Sequence, residues 1–445
     1  MRLLKLFRPA SIGSGMILYG AGRGAAAAIG LGIALILPHF LSVDTLGQFY
    51  IMISATTYLS VVMRFGGEYV LFRQSAIETE VDKAKAWDSK AFGQATKYLL
   101  INCLLLLALA KTVLWSVDLS GWYNDENLKF LEDSLPQIFA ISLGTSMLVY
   151  LYQISKVRAL IVYSSLVKSS ILNFIFIAMV VSLYHYTEQM GISSYVNLYL
   201  VASLLAVLVA VVLCRSVSMG QWVRGMVTAN PSYYRSESWY SFSYSMLFVV
   251  FTELEILLAS LYLSPADIAI YGTARRMTLA CSIFVEFSNV FLPKIIAAGL
   301  GNPDQASLGR KLSSFSVKMA MMSLFVIASI WLFGEWAFGL VLPDSFAGVA
   351  DLLVVLLFVP FIAVLLGPSE ILLLMHSKEN SRLILSLSLM VAIGIQFTVA
   401  ATWLIPAFGI FGLAWSSVIA MAVYRTILTL YVHRYLSMRL FPGAR

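Results

Sequence analysis

The chain has 445 residues, of which 60% are hydrophobic and only 12% charged, with a formal net charge of +7 and a mean hydropathy of +0.85. A soluble domain carries about 25% charged residues, whereas here apolar runs of about 20 residues, long enough to cross ~30 Å of hydrocarbon, recur along the whole length. A soluble globular protein is excluded, as is the alternating short-strand pattern of an outer-membrane barrel; the composition predicts an all-α polytopic membrane protein.

The first apolar stretch runs from Ile12 to Pro38, behind Arg2, Lys5 and Arg8. A cleavable signal core is only about 7–15 residues long, so this stretch reads as the first span. It contains "ILYGAGRGAAAAIGLGIALILP" (17–38), with Arg23 set among Gly20, Gly22 and Gly24. A nucleotide-binding glycine loop has to follow a strand and open a helix, and this segment does neither. Glycines here remove side chains, which permits either close static packing or bending of the helix. Eleven further spans are predicted at about 46–71, 93–116, 135–155, 159–184, 194–214, 239–263, 267–293, 314–334, 349–374, 383–405 and 409–432. Between the third and fourth, "VDLSGWYNDENLKFLEDS" (117–134) is acidic and reads as a surface helix. The segment 215–238, at the chain midpoint, is either a helix resting on the lipid interface or a plain linker. The expected domains are therefore residues 1–214, a linker at 215–238 and residues 239–445.

Basic residues test the count. Of the 30 Lys and Arg, 22 fall on the side of the N-terminus and only Lys111 and Lys129 on the other. By the positive-inside rule both termini are cytoplasmic, and an odd number of spans would scramble the separation. The dispersed positive charge suits anionic membrane lipid better than nucleic acid, which is not an expected partner. Cys103, Cys214 and Cys281 lie within or at the ends of apolar runs, and the four histidines are isolated. No metal, cofactor or disulfide framework is expected.

The chain also repeats. "LSVDTLGQFY" (41–50) enters the second span and "LSPADIAIYG" (263–272) enters the eighth, 222 residues later; both start Leu-Ser and carry an acid, Asp44 or Asp267, suited to capping a helix. Lys156 and Lys378 stand at the same interval. Six plus six spans with both termini inside gives two halves of equal orientation.

With "LSVDTLGQFYIMISATTYL", "LSPADIAIYGTARRM" and the closing "LIPAFGIFGLAWSSVIA" (404–420), the sequence resembles the polysaccharide-transporter branch of the multidrug/oligosaccharidyl-lipid/polysaccharide (MOP) exporters, to which Wzx-type O-antigen flippases belong. The resemblance implies twelve helices in two six-helix bundles around a central cavity lined by spans one, two, seven and eight. It also implies alternating access that moves an undecaprenyl-diphosphate-linked oligosaccharide from the inner to the outer leaflet. It points to a monomer in a bacterial inner membrane, with polysaccharide-assembly proteins as partners. Drug or cation antiporters of the same superfamily are the alternative. They carry an acid in span one, where this chain has Arg23 instead. A membrane glycosyltransferase or polymerase is disfavoured, because no acid–base constellation or sizeable external loop is present, and the chain reads as a non-enzyme.

Ionisable residues inside spans are functional candidates, since an Arg at a helix centre costs ~2.5–3.5 kcal/mol even on the lenient insertion scale. Arg23, Arg64, Lys168, Arg275 and Arg276 stand at stepped depths and form a cationic ladder suited to a diphosphate, which the planar guanidinium fork grips bidentately. Arg425, within about two turns of the cytoplasmic end, is expected to snorkel. Internal neutralisation is the competing role. Arg64 and Glu68 are spaced i,i+4 on one face, and Glu253 and Glu255 are candidates to couple transport or to pair with Arg23. Glu286 lies about 16 Å deeper than Arg275, too far to pair with it directly.

Overall fold

The computed structural model describes residues 24, 28–77, 81–118, 125–157, 170–187, 191–214, 218–228, 238, 242, 245–246, 249, 253–300, 305–375 and 379–435. Among them all regular structure is helical, and six helices are long and apolar enough to cross a membrane, or seven if one bent pair is a single span. The chain is an all-α, multi-pass membrane protein. It divides into two compact units, Met1–Leu261 and Tyr262–Arg445.

The first unit contains α1 (Ala28–His39), α2 (Val43–Arg64), α3 (Gly67–Ile77), α4 (Val81–Asp118), α5 (Asp125–Asp133), α6 (Leu135–Val157), α7 (Ser170–Thr187), α8 (Ile192–Cys214), α9 (Met219–Thr228) and α10 (Glu255–Ala259). Its axis is α2, which is apolar on nearly every side and packs against α4, α6, α8 and α10. A helix hydrophobic all round has no amphipathic stripe to face water and is buried in protein. Phe49 of α2 stacks on Phe176 of α7 at 5.0 Å, and Tyr199 of α8 meets both edge-on. Two serines of α6 zip it to α2. Ser142 donates to the Thr56 carbonyl at 3.1 Å, and Ser146 to that of Ser60 at 3.2 Å. Small hydroxyl residues at i,i+4 let two membrane helices approach and hydrogen-bond where lipid offers no partner.

The acidic segment 117–134 contains a helix, α5, with Glu126, Lys129, Glu132 and Asp133 exposed. Asn127 there donates to the Ser260 carbonyl at 2.9 Å and Glu126 accepts from Gln48 at 3.2 Å. Within 215–238, α9 is an amphipathic helix laid on α4 rather than a plain linker. The backbones touch at two glycines: a Cβ on Gly93 would stand 2.1 Å from the Trp222 carbonyl oxygen, and one on Gly225 would stand 2.2 Å from that of Lys90. Ser218 N–H donates to Ser89 Oγ and Trp222 Nε1 to Thr96 Oγ1.

The second unit contains α11 (Pro265–Cys281), α12 (Ile283–Leu300), α13 (Gln305–Gly339), α14 (Val349–Leu365), α15 (Gly367–Met375), α16 (Glu379–Val399) and α17 (Ile405–Tyr435). Here α14 is the axis, packed by α11, α12, α13 and α17. The chain kinks within α17 at Gly409, the residue expected to open the last span, whose φ of 56° and ψ of −129° fall in a region open only to glycine.

The repeat is visible in the caps. Ser42 starts α2 at φ −61°, ψ 155°, and Ser264 starts α11 at φ −68°, ψ 156°; each hydroxyl accepts from the backbone N–H three residues on. The capping residue is therefore serine, not the acid expected from the sequence. Counting from each serine, Asp267 matches Thr45 rather than Asp44. Both acids sit in the first helical turn, where the helix dipole favours negative charge. Lys378, the second-half member of the other repeat pair, lies outside the described residues.

Candidate functional site

Two clusters of buried ionisable groups stand out, one in each unit, and each is built where one helix breaks and the next begins. In the first unit the helix breaks after Arg64. Phe65 takes a left-handed conformation (φ 45°, ψ 44°) and Gly66 follows with φ 74°, after which α3 begins. A bulky residue there is an outlier held in place by its surroundings. Its ring stacks on Phe242 with centroids 4.1 Å apart, and Asn102 of α4 donates to the Met63 carbonyl at 2.8 Å. That bond satisfies one of the acceptors a helix end leaves open.

Arg64 and Glu68 face each other across this break, 3.5 Å apart and both almost fully buried. Arg64 Nη1 also donates to Ser60 Oγ, which lies 3.0 Å from Ser146 Oγ, while Ser245 donates to Glu68 Oε1 at 2.8 Å. The i,i+4 pairing read from the sequence is present, closed at each end by serines. Further along the unit, Glu253 accepts from Ser54 of α2 at 2.8 Å. Glu253 and Glu255 are both buried, with a widened π-type turn between Glu253 and the start of α10.

In the second unit α14 and α15 are two apolar helices that meet at a 50° bend. Pro368 has no N–H with which to continue the ladder into α15; the Leu366 N–H reaches the Val364 carbonyl instead, and Ser369 Oγ donates to the Leu366 carbonyl at 2.6 Å. One turn beyond the bend Glu370 forms an ion pair with Arg425 Nη1 of α17 and accepts from Tyr424 OH at 3.3 Å. Thr429 of α17 hydrogen-bonds to Ser369 at 3.1 Å. The expectation that Arg425 snorkels is thus corrected. Its side chain is buried and paired, because Glu370 offers a carboxylate inside the protein and removes the reason to reach for the interface. Glu370 is absent from the candidates read off the sequence, although an acid inside the apolar run 349–374 is itself the signal.

The other sequence candidates are distributed as follows. Arg275 is buried and Arg276 partly buried, on adjacent positions of α11, so the two point about 100° apart around the helix. Glu286 is on α12, with its side chain outside the description. Arg23 and Lys168 also lie outside the described residues. The structure therefore brings Arg64 together with Glu68, and Arg425 together with Glu370. Among the described residues no group of three or more His, Cys, Asp or Glu side chains is placed to hold a metal ion.

No protein-family model matches the sequence, and no curated protein matches it either. Solved structures do. Lipid II flippase MurJ, in an inward closed conformation, superposes with a TM-score of 0.71 over 95% of this chain and 90% of its own, at 11% identity. The MATE multidrug transporter DinF-BH, in complex with a ligand, gives 0.60 over 99% and 97%, at 14% identity. An inward-facing multidrug resistance MATE family transporter of the MOP superfamily gives 0.52 over 99% of each, at 15% identity. The likeness establishes the fold. Both kinds of neighbour are transporters, and both are matched over nearly their full length.

Proposed function

We propose that this chain is a flippase that carries an undecaprenyl-diphosphate-linked oligosaccharide from the cytoplasmic to the outer leaflet of a bacterial inner membrane, with both termini cytoplasmic. The observation that carries this reading is the full-length likeness to a lipid II flippase, at a TM-score of 0.71 against 0.60 for the ligand-bound MATE. The sequence adds support, since a basic residue, Arg23, stands in the first span where the antiporters of the resemblance carry an acid. In this reading Arg23, Lys168, Arg275 and Arg276 contact the diphosphate in turn, the guanidinium forks supplying bidentate hydrogen bonds. Arg64 is committed to Glu68 and contributes to the bend rather than to the cargo. Glu253, held by Ser54, is the candidate coupling acid, with Glu255 beside it.

A drug-transporter reading is favoured by one observation, the near-complete coverage by MATE structures, one of them holding a ligand. One experiment separates the two. The chain is expressed in a strain lacking its own O-antigen flippase, and surface polysaccharide is measured per membrane-inserted protein. Uptake of the cationic dye ethidium into inverted vesicles is measured alongside, since export from the cell becomes uptake there. Restored polysaccharide without dye transport is the expected result. Dye transport without restoration overturns the flippase reading. Arg23→Gln is expected to abolish restoration at unchanged protein level, and Arg23→Lys to return part of it.

A further inference from the structure

We propose that the groove between α12 and α13 binds the headgroup of an anionic phospholipid, a site separate from the cargo path. The groove encloses about 570 Å³ and is lined by Ile295, Arg310, Lys311, Ser314, Phe315 and Lys318. Three cations thus share a little over two turns of one helix, and no acid is among the lining residues described. Arg310, Ser314 and Lys318 are spaced i,i+4,i+8 and lie on one face, all of them exposed. Arg310 and Lys318 stand about 12 Å apart along the axis, so an anion seated over Ser314 is approached by cations from both sides. Ser314 at the centre offers a hydroxyl donor, and Ile295 and Phe315 supply an apolar wall.

What surrounds the groove selects the kind of anion. The same face of α13 continues beyond Lys318 as an exposed apolar stripe through Met321 and Phe325 and on to Leu332 and Trp336, while Trp331 is exposed on another side of the helix. In the window of this helix that spans, only 22% of residues are buried inside the protein, against 67% for α2. It is a lipid-facing helix. From Lys318 to Trp336 the rise is about 27 Å, close to the ~30 Å of a hydrocarbon core, with tryptophans at the far end where aromatic residues gather. The cations therefore stand in a headgroup layer, on the side that the charge bias of the sequence assigns to the cytoplasm. A phosphate held by Arg310, Lys311 and Lys318 places its acyl chains along Met321 and Phe325. A soluble phosphate or an acidic peptide makes no use of that stripe. Basic pockets between helices on the cytoplasmic side are a known form of anionic-lipid recognition. The groove rests on exposed residues of one flank, so the proposal stands or falls independently of what the transporter carries.

The test uses the full chain, purified in neutral detergent, with dioleoylphosphatidylglycerol or dioleoylphosphatidylcholine added and bound lipid counted by native mass spectrometry. The expected result is at least tenfold more phosphatidylglycerol than phosphatidylcholine retained, and loss of that preference in the triple variant R310Q/K311Q/K318Q. Ser314→Trp, which fills the groove and leaves every charge in place, is expected to lose it as well. Arg224→Gln, which removes an exposed cation on α9, is expected to keep it. Equal retention of the two lipids by the parent chain overturns the proposal, as does an unchanged preference in both groove variants. Complete displacement of phosphatidylglycerol by millimolar glycerol 3-phosphate also overturns it, in favour of a simple anion site.

Discussion

The two helix breaks solve the same problem by different means. A break between packed helices leaves backbone groups that need other partners, and in each unit an acid stands in the interior just beyond it. At Arg64–Glu68 the solution is local. The cation precedes the break, the acid follows it, and the ion pair spans the turn, while Phe65 accepts a left-handed backbone. At Leu366 the backbone stays at negative φ, with a C-cap at φ −101° and ψ 5°. Glu370 has no cation on its own helix and reaches instead to Arg425, on another helix 55 residues along the chain. The bends are not copies of one another either, since Arg64 and Glu370 do not stand at the 222-residue interval of the repeat. The local pair fixes the shape of one helix; the distant pair fixes one helix to another.

This difference predicts unequal costs. Removing one partner of a buried pair leaves an uncompensated charge and costs about 3–5 kcal/mol. Glu370→Gln and Arg425→Gln are each expected to lose that much, read as thermal unfolding in detergent and as folded yield. The exchange of Glu370 and Arg425 is expected to recover part of the loss, and Glu370→Leu with Arg425→Met to be milder than either single change. A double variant no better than the singles would show that the helices are held together by something other than this pair.

Arg64→Gln is expected to cost less, about 1–3 kcal/mol, because the carboxylate it strands keeps a 2.8 Å hydrogen bond from Ser245, shorter than the 3.3 Å bond that Tyr424 gives Glu370. Under the flippase reading, polysaccharide restoration falls only in proportion to folded protein. If Arg64→Gln destabilises as much as Arg425→Gln, the distinction between a local and a distant clamp is lost. If transport falls while folded protein does not, Arg64 belongs to the cargo path after all.

A third pair of variants probes the backbone itself. Left-handed conformation costs a side-chain-bearing residue about 1–2 kcal/mol, which Phe65→Gly removes while forfeiting a ring stack worth about 0.5–1.5 kcal/mol. Lost apolar contact of the partly buried ring and glycine's entropy add to the cost, so the strain relief is expected to make Phe65→Gly about 1–2 kcal/mol milder than the same truncation of an unstrained residue. Leu366→Gly gains no such relief, loses its packing, and carries glycine's extra folding entropy, so it is expected to destabilise by about 1–2 kcal/mol. Equal losses at the two sites would mean that Phe65 is not strained.

Much of this is legible because membrane physics writes itself in runs. Apolar length predicts spans, and i,i+4 spacing predicts that Arg64 meets Glu68, since both follow from local geometry. The break between them is not legible. Neither "RFGGE" nor a hydropathy window says that Phe65, rather than only its glycines, turns left-handed; that depends on Phe242 and Asn102, far away in sequence. The Glu370–Arg425 pair escapes the sequence for the same reason. Judging the depth of Arg425 by counting turns from a helix end treats the surroundings as lipid and cannot see a carboxylate on a neighbouring span. Of the proposed cationic ladder, Arg275 and Arg276 are placed on α11, while Arg23 and Lys168 rest on sequence reasoning alone.

The smallest expected effect is at the caps, where the two units look most alike. An N-cap serine replaced by alanine costs about 1 kcal/mol, so Ser42→Ala and Ser264→Ala are both expected to be mild. They are not expected to be equal. Ser42 Oγ donates to the hydroxyl of Thr45 at 2.8 Å, whereas Ser264 Oγ donates to the carboxylate of Asp267 at 2.7 Å. A hydrogen bond to an ionised acceptor is roughly twice as strong as a neutral one. Ser264→Ala should therefore exceed Ser42→Ala by several tenths of a kcal/mol, on the order of the charge-assisted gain. Asp267→Thr, which installs the first unit's residue in the second, should bring the two alanine effects together when each is measured against its own parent. If the gap survives that replacement, its source is the Pro265 that follows Ser264 and not the acid. The two caps would then differ in backbone preorganisation rather than in charge.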